Sequence, residues 1–148
     1  MNTPTHTLTE ALAQMTCSLE PEPVGVVGWP GEALGPGEWD SLQAEDGPLQ
    51  VIREGGEVTV LASWPRVQLL ADAHPGARAE GPFVWIRFSA PMAWDLVGFL
   101  AHVSGALAQA GIPLGAVCGF SRDHLFVPKE SCQEALAALA ALGIGAAR

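Results

Sequence analysis

The sequence predicts an α+β fold made of two interleaved βαββαβ-type units, with helices on one face of an antiparallel sheet. Three observations carry it. Residues 83–143 alternate between strand and helix periods in the order β-α-β-β-α. Two β-rich runs, 49–54 and 57–61, flank Gly55-Gly56, the signature of a hairpin with a primed turn. The first half holds a spare apolar run at 24–29, while the second half ends in a mere stub at 144–147. One unit therefore lends a terminal strand to the other, and the chain divides into repeats 1–80 and 81–148.

Residues 9–15 suit a short helix capped by Thr9 and closed by Pro21 and Pro23. The run 24–29 is a strand. Residues 30–48, rich in Gly, Pro, Glu and Asp, read as loop, with a short strand or turn near 39–42. Pro65 opens a short helix through Val67, Leu69 and Leu70 that ends near Ala73, where His74-Pro75-Gly76 breaks it.

Residues 83–88 form the next strand. Apolar side chains at 96, 99, 100, 103, 107 and 110 give a helix over 94–110, opposite a small or polar side of Ala101, His102, Gly105 and Ala108. Gly111 stands where a helix-ending glycine belongs. Strands follow at 112–120 and 124–128, joined by a tight turn over 121–124. Ser131 with Glu134 suggests a capping box on a last helix, 131–142, whose buried stripe is Ala135, Leu136, Leu139 and Leu142. Gly143 ends it.

Composition narrows the function. The chain has 148 residues, 49% of them apolar and 16% charged, so it folds around a real core. A net charge of −9 disfavours a nucleic-acid backbone and an anionic membrane surface alike. Cys17, Cys118 and Cys132 form no CxxC pair and read as small hydrophobes in a reducing compartment. Residues 1–7 lack the basic and apolar regions of a leader. The uncharged stretch 96–121 is long enough to span a bilayer, but Gly111-Ile112-Pro113 places a turn in its middle. It reads as a buried helix and a buried strand, and the expectation is a cytoplasmic protein.

Candidate chemistry is sparse. Ser104 and Ser121 lack a nucleophile elbow, and Gly35-Pro36-Gly37 neither follows a clear strand nor opens a helix. Asp123 and His124 resemble half of a metal or acid–base site, but His6, His74 and His102 show no ligand spacing to them. The expectation is no catalytic residue, no metal and no cofactor. His102 reads as a packed or interface histidine, and the five tryptophans as core and interface filling, Trp94 excepted. Gly98, in the first turn of the predicted helix, admits two readings, close helix-on-sheet packing or close approach of a ligand. Free amides of Leu96, Val97 and Gly98 at a helix start suit a carboxylate. Asp95 suits either a cap or an ammonium partner, and Asp123 either turn chemistry or a contact at the rim.

The segments Trp94-Asp95-Leu96-Val97-Gly98, Leu107-Ala108-Gln109-Ala110-Gly111-Ile112-Pro113, Asp123-His124-Leu125-Phe126-Val127-Pro128 and Glu134-Ala135-Leu136-Ala137-Ala138-Leu139 together resemble the ACT domain, a ferredoxin-like fold. The subtype is the one repeated in aspartokinase regulatory regions and eukaryotic arginine sensors. The chain looks most similar to stand-alone bacterial tandem ACT proteins, a family of unknown function. Leu12-Ala13-Gln14-Met15 and Ile52-Arg53-Glu54 are similar to that group's first half. Arg122 replaces the histidine or tyrosine common before Asp123-His124, and the bulk of Met92 and Trp94 replaces a small polar residue.

The resemblance implies binding rather than catalysis: a regulatory sensor of an amino acid, acting as a homodimer on a separate enzyme or regulator. The implied pocket is framed by Met92, Ala93, Trp94, Asp95, Leu96, Val97 and Gly98 on one side. Cys118, Gly119, Phe120, Asp123 and His124 stand on the other. Gly98→Val is then expected to block binding by filling space, and Asp95→Asn to remove a charge partner. The competing reading is a structural dimerisation or interaction module whose site is empty.

Overall fold

A computed structural model describes residues 7–89 and 92–147. His6 and the rest of residues 1–6 lie outside the described residues. Along the chain the elements are α1 (Leu8–Gln14), β1 (Thr16–Leu19), β2 (Val24–Pro30), α2 (Glu38–Gln43), β3 (Gln50–Glu54), β4 (Glu57–Ser63), α3 (Trp64–Ala73) and β5 (Arg78–Phe88). Then come α4 (Phe99–Gln109), β6 (Gly115–Cys118), β7 (Asp123–Pro128), a 3-10 turn (Lys129–Ser131), α5 (Cys132–Ala141) and β8 (Gly145–Ala146). Two compact units share them. The terminal unit comprises Met1–Glu20 and Val84–Arg148, and the middle unit Pro21–Phe83.

In the terminal unit β7 lies between β6 and β5, and β1 lies between β5 and β8. β1 runs antiparallel to β5, with Cys17 opposite Phe88, and parallel to β8, with Cys17 opposite Ala146. One core receives both helices. Phe99, Val103 and Leu107 of α4, with Ala135 and Leu139 of α5, pack on Ile86, Phe88, Leu125 and Val127 of the strands. Met15, Cys17 and Ile144 complete it. The sheet with helices on one face, expected from periodicity, is what forms, antiparallel in the β1–β5 and β6–β7 pairs and parallel where the stub β8 joins β1.

Several boundaries differ from the sequence reading. α1 is capped by Thr7 rather than Thr9, because Glu10 then sits three residues on and closes a capping box in both directions. β1 has no counterpart in the sequence reading. It is four residues long, too short for a period-2 signal. α4 begins at Phe99, five residues later than expected, because Gly98 holds φ +92° and a left-handed residue cannot continue a right-handed helix. β6 is trimmed to Gly115–Cys118, since Pro113 donates no ladder bond. Ser131 caps α5 without a side-chain bond: its ψ of 6° is far from the extended geometry that aims a cap side chain at the helix amides. A 3-10 turn precedes the helix in place of the expected capping box.

In the middle unit the order is β3-β4-β2-β5. Gly55 and Gly56 both have positive φ (56° and 78°), the primed turn that the sequence predicts. Val27, Trp29, Leu42, Val58, Val60, Val67 and Leu70 make a separate core. Residues 39–42, expected as strand or turn, belong to the helix α2. Glu38 anchors it: one carboxylate oxygen accepts the Gly35 amide, and the other lies 2.6 Å from His74 Nε2. His74 in turn stacks on Trp29 with ring centroids 4.0 Å apart. Periodicity does not see such a network, because it comes from long-range side-chain partners.

Candidate ligand pocket

The connection from β5 to α4 faces the turn from β6 to β7. Two backbone hydrogen bonds fix this arrangement. The Met92 amide donates to Ser121 O at 2.8 Å, and the Gly119 amide donates to Arg122 O at 2.8 Å. The first ties the connection to the turn, and the second closes the turn itself. Between the two segments and the first turn of α4 lies a cavity of about 300 Å³. That is the lower end of the range for small-molecule sites.

Of the residues predicted for the site, Met92, Ala93, Trp94, Leu96, Gly98, Cys118, Gly119, Phe120 and Asp123 line this cavity together. Asp95, Val97 and His124 are not among the lining residues. Asp95 is exposed, and Val97 is 82% exposed. His124 belongs to β7 rather than to a turn, and its ring stacks on Trp85 at 4.9 Å. Asp123 likewise opens β7, opposite Cys118, so the tight turn shrinks to the residues before it.

Four lining residues are outside the site set expected from sequence: Phe99, Leu100, Ala101 and Arg122. The first three follow from the late start of α4. Their amides, not those of Leu96, Val97 and Gly98, are the ones at the helix start, and no side chain caps them. Gly98 itself was the available signal, since glycine before an apolar helix is as good a cap as a first-turn residue. Arg122 is the only lysine or arginine among the lining residues.

The electrostatics single out the same end of the cavity. Among the described residues the Arg122 guanidinium has no hydrogen-bond or ion-pair partner, and its Nε is enclosed. Asp123 sits next to it and accepts the Cys118 thiol, a bond that raises the thiol pKa, with burial and the carboxylate charge adding to it. The His124 pKa is lowered, first by burial, then by the nearby Arg87. Its Nδ1 is enclosed without a partner. Among the described residues no group of three or more His, Cys, Asp and Glu is placed to hold a metal ion. No helix among them is long and apolar enough to cross a membrane.

An antiparallel sheet with both helices on one face, and an opening where a strand hands over to a helix, defines an α+β module of the ferredoxin-like, ACT type. Residues 80–141 match the family model of the ACT domain. The fold extends further than the match. A crystal structure of a protein from Agobacterium tumefaciens superposes with a TM-score of 0.73 at 19% identity, covering 90% of this chain and 92% of that one. A protein of unknown function from Vibrio cholerae gives 0.66 at 25% identity, over 88% and 91% of the two chains. The regulatory subunit of aspartate kinase from Thermus thermophilus gives 0.59 at 12% identity, over 85% and 95%. No curated protein matches the sequence.

Proposed function

We propose that this chain is a regulatory ligand-binding module that senses a free amino acid in the cavity between residues 92–101 and 118–123. The observation that carries the reading is a guanidinium, Arg122, without a partner among the described residues, lining an otherwise mostly apolar cavity beside a carboxylate, Asp123. The enclosed Nε of Arg122 has no hydrogen-bond partner, which carries a desolvation cost, and a ligand carboxylate relieves that cost. Asp123 then takes the ammonium, the role that the sequence reading gives to Asp95. The uncapped amides of Phe99, Leu100 and Ala101, at the start of the lining helix, add positive potential to the cavity. About 300 Å³ suits a single amino acid and is small for a nucleotide or a peptide.

The module carries no catalytic group in this reading. It works as two ACT-type repeats, 1–80 and 81–148, in a homodimer, and passes occupancy to a separate cytoplasmic enzyme or regulator. Sedimentation at micromolar concentration checks the dimer, and a monomer there removes that part.

The test of the site is a thermal-shift scan over the twenty amino acids. A ligand at 100 times its Kd stabilises the fold by about 2.7 kcal/mol, a shift of several degrees. Arg122→Gln is expected to abolish the shift, as is Ala101→Leu, which fills the cavity from an exposed position in the first turn of α4. Twenty amino acids without a shift leave the reading of an empty, structural module.

A further inference from the structure

We infer that the cavity selects an amino acid with an uncharged, apolar side chain, seated against the aromatic pair Trp94 and Phe120. This rests on the ligand-binding reading above and narrows it to one chemical class. The argument begins with exposure. Trp94 is 74% and Phe120 84% exposed, yet the two rings meet edge to face, with centroids 5.9 Å apart. They come from the two segments that frame the cavity, and both line it. Neither ring is needed to fill the core. Two large rings left in water at the same opening are surface held for an apolar contact.

The remaining wall agrees. Met92, Leu96, Phe99 and Leu100 are apolar and reach into the core behind. Among the lining residues charge is confined to Arg122 and Asp123, adjacent in sequence. One cation and one carboxylate are used up by the two charged groups that every free amino acid carries. A third charge, on the side chain of aspartate, glutamate, lysine or arginine, would be set against apolar wall with no complementary side chain among the lining residues, which is unfavourable.

The experiment is isothermal titration of the full chain with L-leucine, L-phenylalanine, L-aspartate and L-lysine, repeated on Trp94→Ala and Arg122→Gln. Leucine or phenylalanine is expected to bind at least about tenfold more tightly than aspartate and lysine, the discrimination that a hydrophobic pocket provides. Trp94→Ala should weaken the favoured ligand about tenfold, and Arg122→Gln should remove binding. Tighter binding of aspartate or lysine, lost in Arg122→Gln, overturns the apolar class and leaves the site itself standing. If Trp94→Ala changes the sedimentation of the protein while affinity stays the same, the aromatic pair is a protein contact, and this inference fails. Absence of binding by all four, with no shift from any of the twenty amino acids, overturns both readings.

Discussion

Two of the chain's passages from strand to helix, β4 to α3 and β5 to α4, are built in opposite ways. In the middle unit β4 runs into α3 with no residue between, and Pro65 fixes the first turn. Trp64 swings its ring into the space left by Gly25 and Gly81. A Cβ on Gly81 would lie 2.8 Å from that ring, and one on Gly25 would collide with it. In the terminal unit β5 ends at Phe88 and α4 waits until Phe99. There Gly98 meets almost nothing, as its Cβ would have only Leu8 Cδ2 for company, at 3.5 Å. One junction is filled by its own side chain, and the other is held open. A short connection turns the space into core, whereas a longer one with a left-handed glycine leaves room for a ligand.

Emptying the filled junction should have the largest effect on stability. Trp64→Ala is expected to cost about 3 kcal/mol, the low end for a large aromatic because the ring is only partly buried. Urea unfolding measures it. Gly25→Ala overpacks the same place, against the ring and the Glu80 carbonyl, and should cost about 2 kcal/mol. The double variant should cost clearly less than the sum, because removing the ring removes the clash. Simple additivity would show that the ring does not occupy that space.

The open junction should respond to conformation rather than to volume. Gly98→Ala is expected to cost about 1–2 kcal/mol through its positive φ, and Gly98→Asn less, since asparagine tolerates the left-handed region. Gly98→Val, expected from the sequence to block binding by filling space, carries the strain of the same positive φ as well. Trp94→Ala, by contrast with Trp64→Ala, should leave stability within about 0.5 kcal/mol, since the ring is 74% exposed. A large loss there would mean that the open junction is core after all.

The smallest effect concerns pH. His124 has a lowered pKa in the folded protein, chiefly from burial and then from Arg87, so the unfolded chain binds the proton more readily. Its contribution is complete above the unfolded value of about 6.5 and is lost as pH falls through the folded pKa. Stability compared between pH 7.5 and pH 5 should therefore fall less in His124→Gln than in the parent. An identical fall in both proteins would show that His124 titrates as it does in the unfolded chain.

Much of this was legible in the residues. The Gly55-Gly56 hairpin, the apolar stripe of α4 and the stub β8 are local signals, and each was found near its place. The frame of the cavity was legible too, because a helix start and a strand turn bracket it in sequence. Short β1 was not, since four residues carry no period. Nor was α2, which depends on Glu38 reaching His74 thirty-six residues away.

By itself, then, the sequence determined the order and type of the periodic elements and the sign of the surface, because those follow from neighbours along the chain. The tertiary structure alone decided which elements share a core. It placed Met15 and Cys17 with Ile144, from opposite ends of the chain. It also decided that Arg122, rather than Asp95, lines the cavity. The physical reason is that burial and charge pairing depend on what lies across space, and a residue next to the right helix in sequence can still end up facing water.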